Sequence, residues 1–222
     1  MVGIVDLYVS HYAHTEADTY RQIRLETYGE GLGQTSWITA TEVRRFPSWL
    51  DIQPGSEILE VACGSGGVSL LAASALGATV IGIDINEQAV QTARQKAERE
   101  NISNAVSFQA QDASRPLPFP DGSFDVVLCI DSINHLPDRA AVVKDWFRLL
   151  RPSGKILCAD PIVLTGPVSN QEIATRSSIG FFLFMPPNEN ERLIREPGFE
   201  MLHAAFFTPS EPASGGECGG YG

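Results

Sequence analysis

Three acidic residues accompany successive apolar segments of the chain, in positions from which their carboxylates could bind one ligand. Glu60 lies within the first apolar segment, Asp84 closes the second, and Asp112 follows the third. A carboxylate accepts hydrogen bonds from hydroxyls and amines and attracts ammonium groups. Asp84 stands 18 positions after Gly66, where an acid can bind both hydroxyls of a ribose. Asp112 could accept the exocyclic amine of an adenine.

A glycine-rich turn connects the first apolar segment to a predicted helix, in the sequence Ile58-Leu-Glu-Val-Ala-Cys-Gly-Ser-Gly-Gly67. Gly64 and Gly66 let the backbone approach a ligand without a Cβ in the way, and the helix N-terminus presents free N–H groups. This geometry suits a dinucleotide as well as a nucleoside. The glycines alone therefore do not decide between these ligands, and the ordered set of three acids favours the nucleoside.

Strands and helices alternate around these residues, which predicts an α/β, Rossmann-like fold with a mostly parallel sheet and helices on both faces. The predicted strands are Ile58–Val61, Thr79–Ile83, Val106–Gln109, Phe124–Ile130 and Lys155–Ala159, and the predicted helices are Val68–Leu76, Glu87–Asn101 and Arg139–Leu150. Because parallel strands end at the same edge of a sheet, the three acids should meet at its carboxyl edge.

The chain on either side of this core predicts further elements. Residues 1–50 are expected to form a helical extension or lid, residues 51–208 the main domain with an insertion at about 165–197, and residues 209–222 a tail rich in Ser, Gly and Pro. The insertion should contain the helices Asn170–Phe184 and Glu189–Glu196. A sixth strand is predicted at Glu200–Thr208, with no strand pattern after it.

Composition limits the partners that this domain can have. A formal net charge of −11 without a basic stripe argues against nucleic acid. No apolar run is long enough to span a bilayer. Four cysteines without a C-x-x-C pair favour a reducing, cytoplasmic location. His11 and His14 lack a third ligand in the sequence, so no metal site is predicted.

Taken in order, these motifs resemble the class I S-adenosylmethionine-dependent methyltransferases. The series continues through Phe124-Asp-Val-Val-Leu-Cys-Ile130 and Leu149-Leu-Arg-Pro-Ser-Gly154. The resemblance covers Trp49–Ala159, about half of the chain. It is closest to the small-molecule branch, methyltransferase type 11, which includes the ubiquinone-biosynthesis, phosphoethanolamine and sarcosine enzymes. That family closes its sheet with a seventh strand, which this chain is expected to lack, leaving a sheet edge open for contact in a homo-oligomer.

The resemblance implies a role for each residue around the turn. The glycine turn would hold the methionine part of S-adenosylmethionine, Glu60 would act through its amino group, Asp84 would bind the ribose and Asp112 the adenine. The family commonly has glycine at the position of Ala62, whose methyl group trims the space beside the cofactor. The implied cofactor-binding residues are Glu60, Ala62, Gly64, Gly66, Asp84, Ile85, Gln111, Asp112, Ala113 and Ile130.

Acceptor-side residues are expected after the fourth strand, in Asp131-Ser-Ile-Asn-His-Leu-Pro-Asp138. His135 is the candidate general base because it titrates near neutral pH; a packing role is the alternative. Asp131 and Asn134 are candidates for contact with substrate. By resemblance, Tyr28, a further catalytic candidate, and the lid residues Gln34 and Ser36 would approach the site, unless Tyr28 and Trp37 are core aromatics. Gly180–Met185 would be a lid or substrate wall, or a core helix.

The sequence therefore predicts a methyltransferase that acts on a small molecule at N, O or C by in-line displacement, with S-adenosylhomocysteine as product. A nicotinamide-dependent oxidoreductase is an alternative. It is disfavoured because Ser69 stands where a third glycine or alanine is expected, and because no Tyr-x-x-x-Lys pair is present. A catalytically inactive domain retained for binding is a third possibility, against which the intact acids count.

Overall fold

A five-stranded sheet organises the computed structural model, which describes residues 22, 25–26, 39–160, 164, 166–177 and 183–204. All strand pairs are parallel, in the order β3-β2-β1-β4-β5. The strands are β1 Glu57–Val61, β2 Thr79–Asp84, β3 Val106–Ala110, β4 Phe124–Ile130 and β5 Leu150–Ala159. The helices are α1 Ala40–Val43, α2 Phe46–Leu50, α3 Gly67–Leu76, α4 Glu87–Arg99, α5 Arg139–Leu149, α6 Asn170–Ser177 and α7 Glu189–Arg195.

Alternate residues of the strands pack into two apolar clusters, one on each face of the sheet. Ile58 and Val80 belong to one apolar cluster, together with residues of α2, α3 and α4. Leu59 and Val127 belong to a second cluster, which contains Trp146 and other residues of α5. Successive side chains of a strand point to opposite faces, so a strand covered on both sides is apolar throughout. The prediction of an α/β sheet with helices on both faces is confirmed.

Two element boundaries differ clearly from the prediction. β5 begins at Leu150 rather than Lys155, because an irregularity opposite Phe124 and Val126 lets the chain pair before Lys155. The helix predicted to end at Phe184 ends its described part at Ser177, and Leu183 and Phe184 are not helical. Leu183 instead donates its N–H to the Asn134 carbonyl at 2.8 Å. That prediction is wrong at its end, where the Leu183 N–H bonds a residue distant in sequence instead of a helical carbonyl.

The predicted sixth strand, Glu200–Thr208, is not observed at residues 200–204, and residues 205–208 lie outside the described part of the chain. Aromatic packing accounts for the path of this segment. Phe199 contacts Phe147 edge to face with ring centroids 5.0 Å apart. His203 stacks on Trp49 at 5.7 Å. Aromatic contacts, rather than the hydrogen bonds of a strand, therefore attach residues 199–204 to the domain.

Candidate functional site

The turn between β1 and α3 lies at the carboxyl edge of the sheet and uses left-handed backbone conformations. Ala62, Gly64 and Gly66 have φ values of 56°, 54° and 81°. For a residue with a Cβ this conformation costs about 1–2 kcal/mol, which is a physical reason for glycine at the position of Ala62. At Gly66 a Cβ would lie 2.7 Å from Phe108 Cζ and 2.9 Å from Ala93 Cβ, so no side chain fits there.

Asp84 holds this turn in place from the end of β2. Its Oδ2 accepts the N–H of Gly64 at 2.8 Å and its Oδ1 accepts the N–H of Asn86 at 2.8 Å. The N-cap of α4 is Asn86, which accepts the N–H of Ala89, so Asp84 is not the cap of that helix. Asp84 is only 7% exposed, and burial raises the pKa of its carboxyl. Each oxygen retains capacity for another donor, such as a hydroxyl.

Glu60 has its partner on the helix that follows the turn. The hydroxyl and the backbone N–H of Ser69 both donate to the Glu60 carboxylate. The N-cap of α3 is Gly66, which has no side chain to accept such a bond, so Glu60 of β1 fills the capping role. Glu60 is 4% exposed, and burial raises its pKa to about 7. The neighbouring Asp84 charge acts in the same direction.

Asp112 is more exposed and is bound largely by its own turn. Its Oδ1 accepts the N–H of Ser114 at 3.0 Å and the hydroxyl at 2.6 Å. Its Oδ2 lies 3.2 Å from Arg115 Nε. The Ser114 hydroxyl is the main reason why the pKa of Asp112 is lowered. Of its two oxygens, Oδ2 has the greater remaining capacity for a ligand.

The other predicted cofactor residues follow the ends of the strands. Gln111 donates its N–H to the Asp84 carbonyl at 2.9 Å, which joins the ends of β2 and β3. Gln111 and Ala113 are half-buried, and Ile130 is buried at the end of β4. Ile85 is 74% exposed, an unusual state for a large apolar side chain that directly follows a buried acid, Asp84. A flat apolar surface such as adenine would cover it.

The segment after β4 also lies near these acids. Asp131 adopts a left-handed φ of 53° and donates its N–H to the Ala159 carbonyl. Ile133–His135 form a 3₁₀ turn in which Asn134 is fully buried. The Asn134 amide nitrogen lies 3.2 Å from His135 Nε2. His135 lies close enough to Asp84 for its positive charge to lower the pKa of that carboxyl, against the larger effect of burial.

Several predicted residues lie outside the described part of the chain, so the structure does not place them. They are Tyr28, Gln34, Ser36 and Trp37, together with His11, His14 and residues 180–182. Leu183–Met185, the rest of the predicted substrate wall, is half-buried. Among the described residues, no helix could cross a membrane, and no group of three or more His, Cys, Asp or Glu side chains is suited to a metal ion.

Sequence reasoning missed a group of polar residues near the turn Ile133–His135, which follows β4 and is called the post-β4 turn below. Arg139, Asp160 and Asn190 are joined by short hydrogen bonds. Two features of the sequence could have indicated this group. Arg139 is a cation in the first turn of a helix, where the dipole disfavours it. Asp160 directly follows β5, as an acid directly follows or closes other strands at this edge.

A parallel sheet with a glycine turn and buried acids at its carboxyl edge defines a Rossmann-like nucleoside-binding domain. Comparison with known proteins identifies it further. The family model described as a methyltransferase domain matches residues 59–158. The 27-O-demethylrifamycin SV methyltransferase of Amycolatopsis mediterranei is 29% identical over 82% of this chain and 71% of its own length. Methyltransferase GfsG of Streptomyces halstedii is 37% identical over 69% of this chain and 56% of its own.

A solved structure shows the same fold. Phosphoethanolamine N-methyltransferase 2 of Haemonchus contortus, in complex with phosphomonomethylethanolamine and S-adenosylhomocysteine, superposes with a TM-score of 0.74 at 23% identity. The match covers 88% of this chain and 44% of that one. The chain belongs to the class I S-adenosylmethionine-dependent methyltransferases. It spans 71% and 56% of the two relatives compared by sequence, so it corresponds to only part of their length.

The residues at the sheet edge fit S-adenosylmethionine, the cofactor of this family. Glu60 offers a buried carboxylate that could accept an ammonium group, and Asp84 has acceptor capacity left for hydroxyls. Ile85 offers an uncovered apolar surface. None of the relatives compared is a nicotinamide-dependent oxidoreductase, and the comparisons give that alternative no support.

Proposed function

We propose that this chain transfers the methyl group of S-adenosylmethionine to a small-molecule acceptor at an N, O or C atom. The observation that carries this proposal is the unit formed by Glu60, Gly64 and Asp84, in which two buried carboxylates flank a turn that Asp84 itself holds. Burial raises the pKa of both carboxyls, which shows that keeping them ionised inside the protein costs free energy. A ligand carrying an ammonium group and two hydroxyls would offset that cost.

Each residue then has a proposed task toward the cofactor, which supplies a methyl group activated by a sulfonium. Glu60 binds the amino group, Asp84 the ribose hydroxyls, and Asp112 the adenine amine through Oδ2. Ile85 and Ala113 flank the base, and the turn from Ala62 to Gly66 accommodates the methionine part. Gln111 and Ile130 complete the wall of the proposed cofactor site. The protein contributes position and exclusion of water, because the leaving group is already activated.

The acceptor side is proposed to lie between the post-β4 turn and the insertion. Asp131, Asn134 and His135 would face it from the sheet, and Leu183–Met185 from the insertion. Tyr28, Gln34 and Ser36 would approach from the N-terminal extension, a role that rests on the family resemblance. The division into residues 1–50, 51–208 with an insertion at 165–197, and 209–222 also remains a prediction, as do a cytoplasmic location, the absence of a nucleic-acid partner and a homo-oligomer.

Calorimetric titration with S-adenosylmethionine and S-adenosylhomocysteine tests the cofactor part of this proposal. We expect saturable binding of both at one site, with dissociation constants of about 1–100 µM. Absence of saturable binding to the folded protein would contradict the proposal. Titration with reduced nicotinamide cofactor is the control and should give no binding.

Transfer is tested with a radiolabelled methyl donor and a panel of amines, phenols, phosphoethanolamine, sterols and polyketide alcohols. We expect label in at least one acceptor class. A protein that binds the cofactor and labels none of them would favour the inactive binding domain instead.

His135→Ala tests the proposed base. If the acceptor must lose a proton, kcat is expected to fall about 100-fold or more, with cofactor affinity kept within about threefold. Equal kcat values for His135→Ala and the unaltered protein would assign His135 a packing role. The matched change His203→Ala removes an exposed histidine stacked on Trp49 and should leave kcat unchanged.

A further inference from the structure

A buried polar junction joins three segments that are distant in the sequence. Arg139 begins α5, Asp160 follows β5, and Asn190 lies in α7 of the insertion. Arg139 Nη1 lies 2.6 Å from Asp160 Oδ2 and 2.6 Å from Asn190 Oδ1. Asn190 Nδ2 donates to the same Asp160 oxygen at 2.9 Å. The side chains of Arg139 and Asp160 are only 2% and 4% exposed.

Stability alone is a poor explanation for this junction. Burying an ion pair removes two charges from water, and apolar residues of similar volume often serve a core equally well. Apolar contacts already hold this part of the insertion, since Leu193 is buried and Ile194 packs against the cluster around α5. Such contacts have little directionality. The guanidinium fixes an arrangement because each of its hydrogen bonds requires a particular partner geometry.

The junction reaches the turn Ile133–His135 through a single residue, Leu183. Arg139 Nη2 donates to the Leu183 carbonyl at 3.0 Å, and the Leu183 N–H donates to the Asn134 carbonyl at 2.8 Å. Asn134 precedes His135, whose charge acts on Asp84. The Met185 carbonyl in turn accepts the N–H of Leu164. The non-helical residues Leu183–Met185 are thus hydrogen-bonded at both ends, beside the edge that carries the proposed cofactor residues.

We infer that Arg139, Asp160 and Asn190 are positioning residues that dock Leu183–Met185 against the turn Ile133–His135, and so set the acceptor wall beside the methyl donor. The acceptor part of this inference rests on the proposed function, whereas the docking does not. The three residues touch neither cofactor nor acceptor in this scheme. They act through Leu183 and Asn134.

The double variant Arg139→Met/Asp160→Leu tests the inference because it removes both charges together and leaves no unpaired ion in the core. We expect it to fold and to bind S-adenosylhomocysteine within about threefold of the unaltered protein. Amide hydrogen exchange at Leu183 and in α7 should become faster by about tenfold or more. The NMR signals of the His135 imidazole should shift, which a merely stabilising role would not produce.

The matched control is Arg192→Met/Glu189→Leu, which removes an exposed ion pair on the same helix α7. It should leave the exchange of Leu183 and the His135 signals unchanged. A folded Arg139→Met/Asp160→Leu variant with unaltered Leu183 exchange and unaltered His135 signals would overturn the inference.

Asn190→Leu provides the test if the double variant fails to fold, because it removes two hydrogen bonds of the junction and leaves the ion pair in place. The same faster exchange at Leu183 is expected, and exchange equal to that of the unaltered protein would overturn the inference. Failure of the unaltered protein to bind S-adenosylhomocysteine would instead count against the proposed function, and the exchange data would still decide the docking.

Discussion

Replacing Asp84 with alanine is expected to weaken S-adenosylmethionine binding about 100-fold or more. Two charge-assisted hydrogen bonds to ribose hydroxyls contribute about 1.5 kcal/mol or more each, which together correspond to that factor. The variant also removes the acceptor of the Gly64 N–H, so the turn itself loses its attachment to β2. Calorimetric titration of the folded variant measures the change. Affinity equal to that of the unaltered protein would show that Asp84 serves the fold alone.

Asp125→Ala is the matched control for this experiment. Asp125 also uses its carboxylate to hold a backbone N–H of a neighbouring strand, that of Glu57 at 2.8 Å. Glu57 begins β1, so this contact lies at the amino edge of the sheet, opposite the proposed site. We expect Asp125→Ala to lower the thermal midpoint of unfolding and to leave cofactor affinity within about twofold. The comparison therefore separates loss of a strand contact from loss of a ligand contact.

Most of the sheet could be predicted because buried parallel strands leave a local signal. The apolar runs of β1, β2, β3 and β4 are flanked by turn-forming or acidic residues, and their observed ends lie within a residue or two of those expected. The carboxyl-edge position of Glu60 and Asp84 followed from the prediction that the strands are parallel. Local patterns failed where a distant contact decides the backbone, as at Leu183.

The partners of the acids were harder to infer than their positions. Ser69 is nine residues from Glu60 and meets it only because α3 packs back onto β1. Asp112 had a local signal in Asp-x-Ser, since a serine two residues later can satisfy the carboxylate in a turn. Arg139 and Asp160 are 21 residues apart, and their contact depends on how α5 and β5 end. Such pairings require the tertiary structure.

Glu60 is expected to make the stability of the free protein depend on pH in the opposite sense to most carboxylates. Burial raises its pKa from 4.5 to about 7, so the folded state holds a proton that the unfolded state releases. Its contribution is fully present below pH 4.5 and is lost as the pH rises through 7. At 1.36 kcal/mol per pKa unit the loss is about 3 kcal/mol. Because Glu60→Gln cannot lose a proton, its unfolding free energy relative to the unaltered protein should rise by that amount between pH 4.5 and 8.

The ionisation of Glu60 should also make cofactor affinity depend on pH, and in this case a higher pH is favourable. An ammonium group beside Glu60 favours the ionised form, so binding must release the proton that the free protein holds below pH 7. Affinity should therefore rise about tenfold per pH unit between pH 5.5 and 6.5. In Glu60→Gln the affinity should be lower at pH 7.5 and nearly independent of pH. Calorimetry in two buffers of different ionisation enthalpy would count the proton released. If Glu60→Gln kept the pH dependence, the proton would belong to another group at this edge, with His135 and Asp84 as the nearest candidates.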